Sequence, residues 1–108
     1  MRASVRVLCL PEVAAGFALA GVAVDTTTLA SDPGASMARL LGRGDIGVLL
    51  VEDRIYQALE DEVRRQADRS TTPVVVPFPS PSWEAAPPAE QYVVELLRRA
   101  IGYRVRLG

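Results

Sequence analysis

The side chains that could do chemistry in this chain are few, and they lie where apolar runs end. The 108 residues include no His, and all 12 basic residues are Arg. The commonest general base and the amine that forms Schiff bases are therefore absent. With a single Cys the chain can form no internal disulfide, and no metal site is expected. The remaining candidates are Cys9 and the adjacent acids Glu52 and Asp53.

Cys9 lies in the apolar run of residues 5–10, which predicts a buried strand. A free Cys in such a run is usually a small hydrophobic core residue, and this is the interpretation we favour. The alternative is a nucleophile at a strand end, as in phosphocysteine enzymes, which needs backbone amides and a cation beside the thiol. Pro11 has no N–H and Glu12 has the wrong charge, so the sequence argues against that enzyme.

Glu52 and Asp53 directly follow residues 45–51, the clearest predicted strand, whose apolar run after Asp45 is typical of a central parallel strand buried on both faces. Acids at the end of a parallel strand can bind ligands or accept phosphate, as in a receiver domain. A receiver also needs an acid pair after its first strand and a Lys after its fourth, and this chain has neither. Capping of the next helix by Asp53 is the simpler interpretation. A degenerate receiver-like domain for signalling or ligand binding stays as the alternative function.

Other functional classes are excluded by motif and charge. The chain lacks the G-x-x-x-x-G-K-[ST] phosphate loop, and its serines have no His to activate them. We therefore predict no catalytic residue and no cofactor. A formal net charge of −1 without a basic and aromatic patch gives no reason to expect nucleic acid.

The apolar stretch of residues 13–24, preceded by Arg2 and Arg6, has a signal peptide as its alternative interpretation. Pro11 and Glu12 interrupt that pattern, and strand and helix patterns flank it, so we favour a folded segment. The stretch is far shorter than the roughly 20 residues that a membrane-spanning helix needs. No direct insertion into a membrane is expected.

The elements that must position these residues alternate regularly. Strands are predicted over residues 5–10, 22–27, 45–51 and 72–76. Between them the patterns predict a helix over 12–20, a helix beginning at Ser31–Asp32–Pro33, and one helix that spans residues 55–67 with opposite-charge pairs four residues apart, Glu60 with Arg64 and Asp61 with Arg65. This order predicts an α/β fold: a small four-stranded parallel sheet with alternating helices, Rossmann-like or receiver-like, plus a C-terminal helix.

Three regions follow from the composition. Residues 1–76 form the α/β body, and residues 77–88 hold five of the eight prolines and are typical of a semi-stiff connector. Trp83 is expected to anchor the connector on the body, and a contact with a partner is the alternative. Residues 89–108 form the C-terminal helix and a basic, apolar tail, which we predict to bind a partner.

The C-terminal helix has an apolar arc of about 200°, wider than the roughly 100° stripe that one packing surface needs. The excess predicts contact with another chain. The arginines nearby could pair with acids on that partner. The alternatives are that the apolar set covers the protein's own sheet and that the arginines are solvated. The interface candidates are Tyr92, Val93, Leu96, Leu97, Arg98, Arg99, Ala100, Ile101, Arg104 and Arg106.

Four segments of the chain match short motifs that occur in this order in one protein family. Residues 16–22 are similar to G-F-R-L-A-G-[VIL], and residues 45–51 to D-I-G-[IV]-[IL]-[LI]-[IV]. Residues 73–80 are similar to P-V-[IV]-V-x-[IL]-P-S, and residues 100–107 to a closing A-I-G-[FIY]-x-[IV]-[KR]-L. Together the four segments resemble the F subunit of V-type (V/A-type, archaeal-type) rotary ATPases and ATP synthases. Ala18 stands where the family usually carries Arg, and the connector is unusually rich in proline.

The resemblance implies a non-catalytic component of a central stalk. In that family the F subunit binds the long coiled-coil D subunit to make a rotor shaft. The shaft turns inside a hexamer that hydrolyses or makes ATP and is coupled to a membrane ring that moves protons or sodium ions. The location this implies is cytoplasmic, in the peripheral part of a membrane-bound complex.

Overall fold

A computed structural model of the chain describes residues 4–81 and 91–99. Its strands are β1 (Ser4–Cys9), β2 (Ala23–Thr26), β3 (Ile46–Glu52) and β4 (Val74–Phe78). Its helices are α1 (Pro11–Leu19), α2 (Pro33–Leu41), α3 (Asp53–Ala58), α4 (Asp61–Arg69) and α5 (residues 91–99). Strands and helices alternate as the sequence predicts, except that two helices, α3 and α4, lie between β3 and β4.

The four strands form one parallel sheet in the order β2-β1-β3-β4. β1 and β3 are central and pair with each other from Val5↔Val48 to Leu8↔Val51. β3 is apolar along almost its whole length, as expected for a central strand of a parallel sheet that is covered on both faces. The predicted fold class, an α/β fold with a four-stranded parallel sheet and a C-terminal helix, is confirmed.

Helices cover both faces of this sheet. On what we call the first face, Leu50 and neighbouring strand residues pack against Phe17 of α1 and Leu96 of α5. On the second face, Leu49 and its neighbours pack against α2, α3 and α4, with Met37 and Ile55 among the buried contacts. Successive strand residues therefore serve opposite cores, as the period of two requires.

Local backbone chemistry accounts for the start of α2 and for the turn between α1 and β2. Asp32 caps α2, since its Oδ1 accepts the Ala35 amide at 3.0 Å, and Pro33 follows at the start of the helix. Gly21, between α1 and β2, has a φ of +82°, a conformation that residues with a Cβ rarely adopt. A Cβ added there would meet no atom within 4 Å, so backbone conformation alone favours glycine.

The single helix predicted after β3 is wrong, because the segment is two helices separated at Leu59. Leu59 is extended, with φ −68° and ψ 145°, and its side chain is buried in the second-face core. Arg64 Nη2 donates to the Leu59 carbonyl at 2.8 Å and replaces the lost helical hydrogen bond. The predicted pairs four residues apart are wrong too: the ion pairs are Arg64 with Asp61 at 3.7 Å and Arg65 with Glu62 at 3.2 Å, both three apart.

β4 ends two residues later than predicted. It continues through Pro77 to Phe78, which is buried against the first face. A proline fits there because β4 pairs with β3 on one side only and is an edge of the described sheet. Phe78 packs edge-on against Phe17, with ring centroids 5.3 Å apart.

None of the helices in the described residues is long and apolar enough to span a bilayer. Helices α1, α2 and α4 each have nine residues. A helix of that size is about 14 Å long, against a hydrocarbon core of about 30 Å.

Candidate functional site

The carboxyl ends of β1 and β3 flank the point where the strand order reverses, which is where open parallel sheets usually bind ligands. Here the chain's own side chain fills that crevice. Glu52, at the end of β3, is fully buried, and its Oε1 accepts the backbone amide of Leu10 at 2.8 Å. The amide that would face a bound anion is therefore already satisfied by a carboxylate of the protein.

Arg54 and Ser80 complete the surroundings of Glu52. Arg54 Nε donates to Glu52 Oε2 at 2.6 Å, and the Ser80 hydroxyl also donates to Oε2. Arg54 reaches Glu12 of α1 as well, at 3.7 Å. The negative charge of Glu52 is thus held by one cation and two further donors, an arrangement that a buried carboxylate requires.

Cys9 lies in the same region and is fully buried, as the sequence predicts. Burial, together with the negative charges of Glu52 and Glu12, raises the pKa of the Cys9 thiol to about 12. A thiol with that pKa stays protonated near neutral pH, and the thiolate is the nucleophilic form. The geometry therefore argues against the nucleophile alternative.

The receiver-like alternative finds little support at the carboxyl edge. Asp53 is the first residue of α3 and is exposed. Its Oδ1 accepts a long hydrogen bond of 3.5 Å from Gln57 Nε2. The helix-capping role predicted for Asp53 is wrong, because Glu52 occupies the N-cap position and its side chain caps no amide there. Among residues 4–81 and 91–99, no group of three His, Cys, Asp or Glu could hold a metal ion.

An open cavity of about 580 Å³ lies between the start of α2 and the start of α4. Leu29 and Val63 supply part of its lining, and Asp32 and Glu60 supply the acids. Asp32 already caps α2. The lining offers no charged donor and no buried polar side chain directed at a ligand, so the cavity has no recognisable chemistry.

The predicted interface residues of α5 divide between the protein's own core and its surface. Val93 and Leu96 are buried in the first-face core, only 5% and 4% exposed. Leu97 is half-buried against the same core. The centre of the wide apolar arc therefore covers the protein's own sheet. For these residues the structure agrees with the alternative in the sequence analysis, that the apolar residues of this helix cover the sheet.

Tyr92 ties α5 to the body at its edge. Its hydroxyl donates to the Pro79 carbonyl at 2.9 Å, and its ring lies edge-on to Phe17 with centroids 6.1 Å apart. Burial raises the pKa of Tyr92, the nearby positive charge of Arg99 lowers it, and the negative charge of Glu52 adds a further, smaller increase. The start of α5 is therefore bound to the segment that follows β4.

The outer side of α5 is a mixed apolar and basic surface. Val94 is 51% exposed, and Arg98 and Arg99 are exposed. Arg98 pairs with Glu95 of the same helix at 3.1 Å. The candidates Ala100, Ile101, Arg104 and Arg106, and the anchor Trp83, lie outside the described residues.

A second exposed apolar surface, on α1, was not predicted. Leu19 is 82% exposed, and Ala15 and Ala18 are also exposed. The sequence does contain the signal, since α1 is apolar on all sides and carries one charged residue, Glu12. Ala18, the position at which the resembling family usually has Arg, is therefore a surface position and not part of the core.

Comparison with known proteins gives a consistent result. The sequence profile of one family, ATP synthase (F/14-kDa) subunit, matches residues 5–96. The crystal structure of the F subunit of the V-type ATP synthase from Archaeoglobus fulgidus is similar to this fold, with a TM-score of 0.64 and 26% sequence identity. That match covers 72% of this chain and 99% of the other. No curated protein matches the chain. Because the family profile spans most of the sequence, the chain belongs to the family of ATP synthase (F/14-kDa) subunits.

Proposed function

We propose that this chain is a non-catalytic subunit of the central stalk, or rotor, of a V-type ATPase or ATP synthase. It binds the long coiled-coil D subunit and helps couple ATP hydrolysis or synthesis to the transport of protons or sodium ions. The family match over residues 5–96 carries the proposal. The same proposal gives the chain a cytoplasmic location in the peripheral part of a membrane-bound complex, where the catalytic hexamer and the membrane rotor are indirect partners.

The carboxyl edge supports a role without chemistry. In enzymes of this architecture that edge supplies the substrate site. In this protein Glu52 fills the crevice, and Cys9 is a buried thiol of high pKa. The mechanism that remains is mechanical: the protein is a rigid body that docks on the shaft and turns with it.

The contact surface we propose is the outer side of α5 and its continuation. Val94 and Leu97 supply apolar area there, while Arg98 and Arg99 can pair with acids along a coiled coil. Ala100, Ile101, Arg104 and Arg106 extend the same apolar and basic pattern along the chain. Val93 and Leu96 contribute indirectly, because their burial holds α5 on the sheet.

Binding to a purified coiled-coil shaft protein tests the proposal. We expect Val94→Asp to weaken that binding at least tenfold, because a charged side chain would be desolvated in an apolar contact. Leu19→Asp is the matched control, since it makes the same change at an exposed apolar residue on α1. Leu19→Asp should bind as the unmodified chain does.

Three outcomes would contradict the placement or the function. Full binding by Val94→Asp would move the interface away from the outer side of α5. Loss of binding with Leu19→Asp alone would place the contact on α1. Failure of the unmodified full chain to bind any coiled-coil shaft protein at micromolar concentration would overturn the stalk function itself. Point variants are preferable to a chain cut after Pro88, because that cut also uncovers the first-face core.

A further inference from the structure

Glu52 contacts more of the fold than the closure of a crevice requires. Its carboxylate is 0% exposed and lies at the end of β3. Oε1 binds the Leu10 amide directly after β1, and Oε2 binds the side chains of Arg54 and Ser80. One carboxylate therefore connects the ends of the two central strands with the segment that leaves β4.

Ser80 is the link to the rest of the chain. It lies two residues beyond β4, and its hydroxyl is held both by Glu52 and by Arg54, whose Nε is 2.9 Å away. Pro79 directly precedes Ser80 in the chain. The Pro79 carbonyl in turn accepts a hydrogen bond of 2.9 Å from the Tyr92 hydroxyl. Tyr92 lies near the start of α5.

These contacts form a continuous path from the sheet to the helix. A buried carboxylate must keep its donors, because leaving a buried charge without partners is very unfavourable. Hydrogen bonds to a charged group are also shorter and stronger than neutral ones. Glu52 thus binds the Ser80 hydroxyl, and the residue directly before Ser80 supplies the carbonyl that receives Tyr92.

We propose that Glu52 is a positioning residue that sets where α5 lies on the sheet, acting through Ser80 and the Pro79 carbonyl. Val93 and Leu96 supply the apolar attachment of α5, which has no direction along the sheet. The path from Glu52 supplies a directional contact at one end of the helix. This positioning role does not depend on the proposed function. Any effect of Glu52 on shaft binding, in contrast, rests on the proposed function.

Residue-resolved amide hydrogen exchange on the full chain tests this role. Ser80→Ala removes one contact of Glu52 and leaves Leu10 and Arg54 bound to it. We expect the amides of residues 91–99 to exchange roughly fivefold to tenfold faster, the factor expected for loss of one hydrogen bond. Amides of β1 and β3 should keep their protection relative to global unfolding.

Two further variants complete the test. Tyr92→Phe should raise the exchange rates of the same amides. The double variant with Ser80→Ala should raise them by less than the product of the two single factors, because both residues lie on one path. Glu52→Gln should have a larger effect on residues 91–99, and Asp53→Asn is its matched control at an exposed neighbouring acid. Asp53→Asn should leave exchange unchanged.

The proposal is overturned if Ser80→Ala leaves the exchange of residues 91–99 unchanged. It is also overturned if α5 and the central strands accelerate by the same factor, since Glu52 would then support overall stability alone. If Glu52→Gln does not fold, the Ser80→Ala and Tyr92→Phe arms still decide the question. Neither arm depends on a shaft protein, so failure of the stalk function would leave this test intact.

Discussion

Cys9 and Glu52 show how individual residues lose reactivity in this fold. Both belong to types that enzymes use, and both lie near the carboxyl edge of a parallel sheet. Cys9 is buried beside negative charge, so its thiol stays protonated. Glu52 already has its hydrogen-bond donors within the chain. Residue type and position along the chain suggested chemistry, and the surroundings of each side chain argue against it.

The raised pKa of Cys9 predicts a pH dependence of stability. The thiol has an ordinary pKa of 9.0 when unfolded and about 12 when folded, so the folded state binds more protons between these values. The free energy of unfolding should therefore fall as pH rises from about 9 to about 12. At pH 10.5 the contribution of Cys9 to the free energy of unfolding should be roughly 2 kcal/mol smaller than at pH 8, because each pH unit between the two pKa values changes it by about 1.36 kcal/mol.

Urea unfolding of the unmodified chain and of Cys9→Ala at both pH values measures this effect. The comparison removes the contributions of Tyr and Arg, which both chains share. Cys9→Ala should be less stable at pH 8, because it leaves a small cavity, and the difference should shrink at pH 10.5. A difference that does not change with pH would mean that the folded thiol has an ordinary pKa.

At the scale of elements, α5 is the informative case. Its sequence shows one wide apolar arc, and the structure divides that arc by burial: Val93 and Leu96 face the sheet, while Val94 faces outward. α1 shows a related division, with Phe17 in the core and Leu19 exposed. Each helix therefore serves the core with one side and presents apolar area with another.

Truncation of neighbouring apolar residues in α5 tests this division. Leu96→Ala should lower the free energy of unfolding by about 2–5 kcal/mol, as expected for a buried leucine. Val94→Ala should change it by less than about 0.5 kcal/mol, because the residue is half exposed and makes few core contacts. Denaturant unfolding of both variants gives the two values. Similar small effects would mean that α5 does not pack on the sheet in solution.

At the scale of the whole molecule, the sheet is a layer covered on both sides. β1 and β3 lie at its centre, and their successive residues feed two separate cores. The parallel order also brings the ends of β1, β3 and β4 together, which is why Glu52 can reach Leu10 and Ser80. Glu52 can thus occupy the crevice between β1 and β3 because the strand order brings three separate segments of the chain together.

Adjacent leucines of β3 test the two-sided cover. Leu49 faces the second core and Leu50 the first, and both are fully buried. We expect Leu49→Ala and Leu50→Ala each to cost about 2–5 kcal/mol of unfolding free energy. Leu19→Ala, the same change at an exposed site, should cost less than about 0.5 kcal/mol. A small effect at either β3 position would mean that one face of the sheet is open.

Much of the fold could be predicted because the signals are local. Apolar runs indicated the strands, the run of residues 45–51 indicated a central one, and Asp32 before Pro33 indicated the start of α2. The break at Leu59 could not be predicted, because the spacing of apolar residues over 55–67 fits one continuous helix. At Leu59 the backbone is extended while the side chain stays buried in the second core, and Arg64 donates to the Leu59 carbonyl.

By itself the sequence determined the order of strands and helices, the parallel sheet, the lack of His and Lys, and the family resemblance. Only the tertiary structure decided that Glu52 closes the crevice and that Val93 is buried while Val94 is exposed. The physical reason is that a periodic pattern reports which residues avoid water. It does not report which distant residues provide the cover, because those contacts form only when the strands and helices pack.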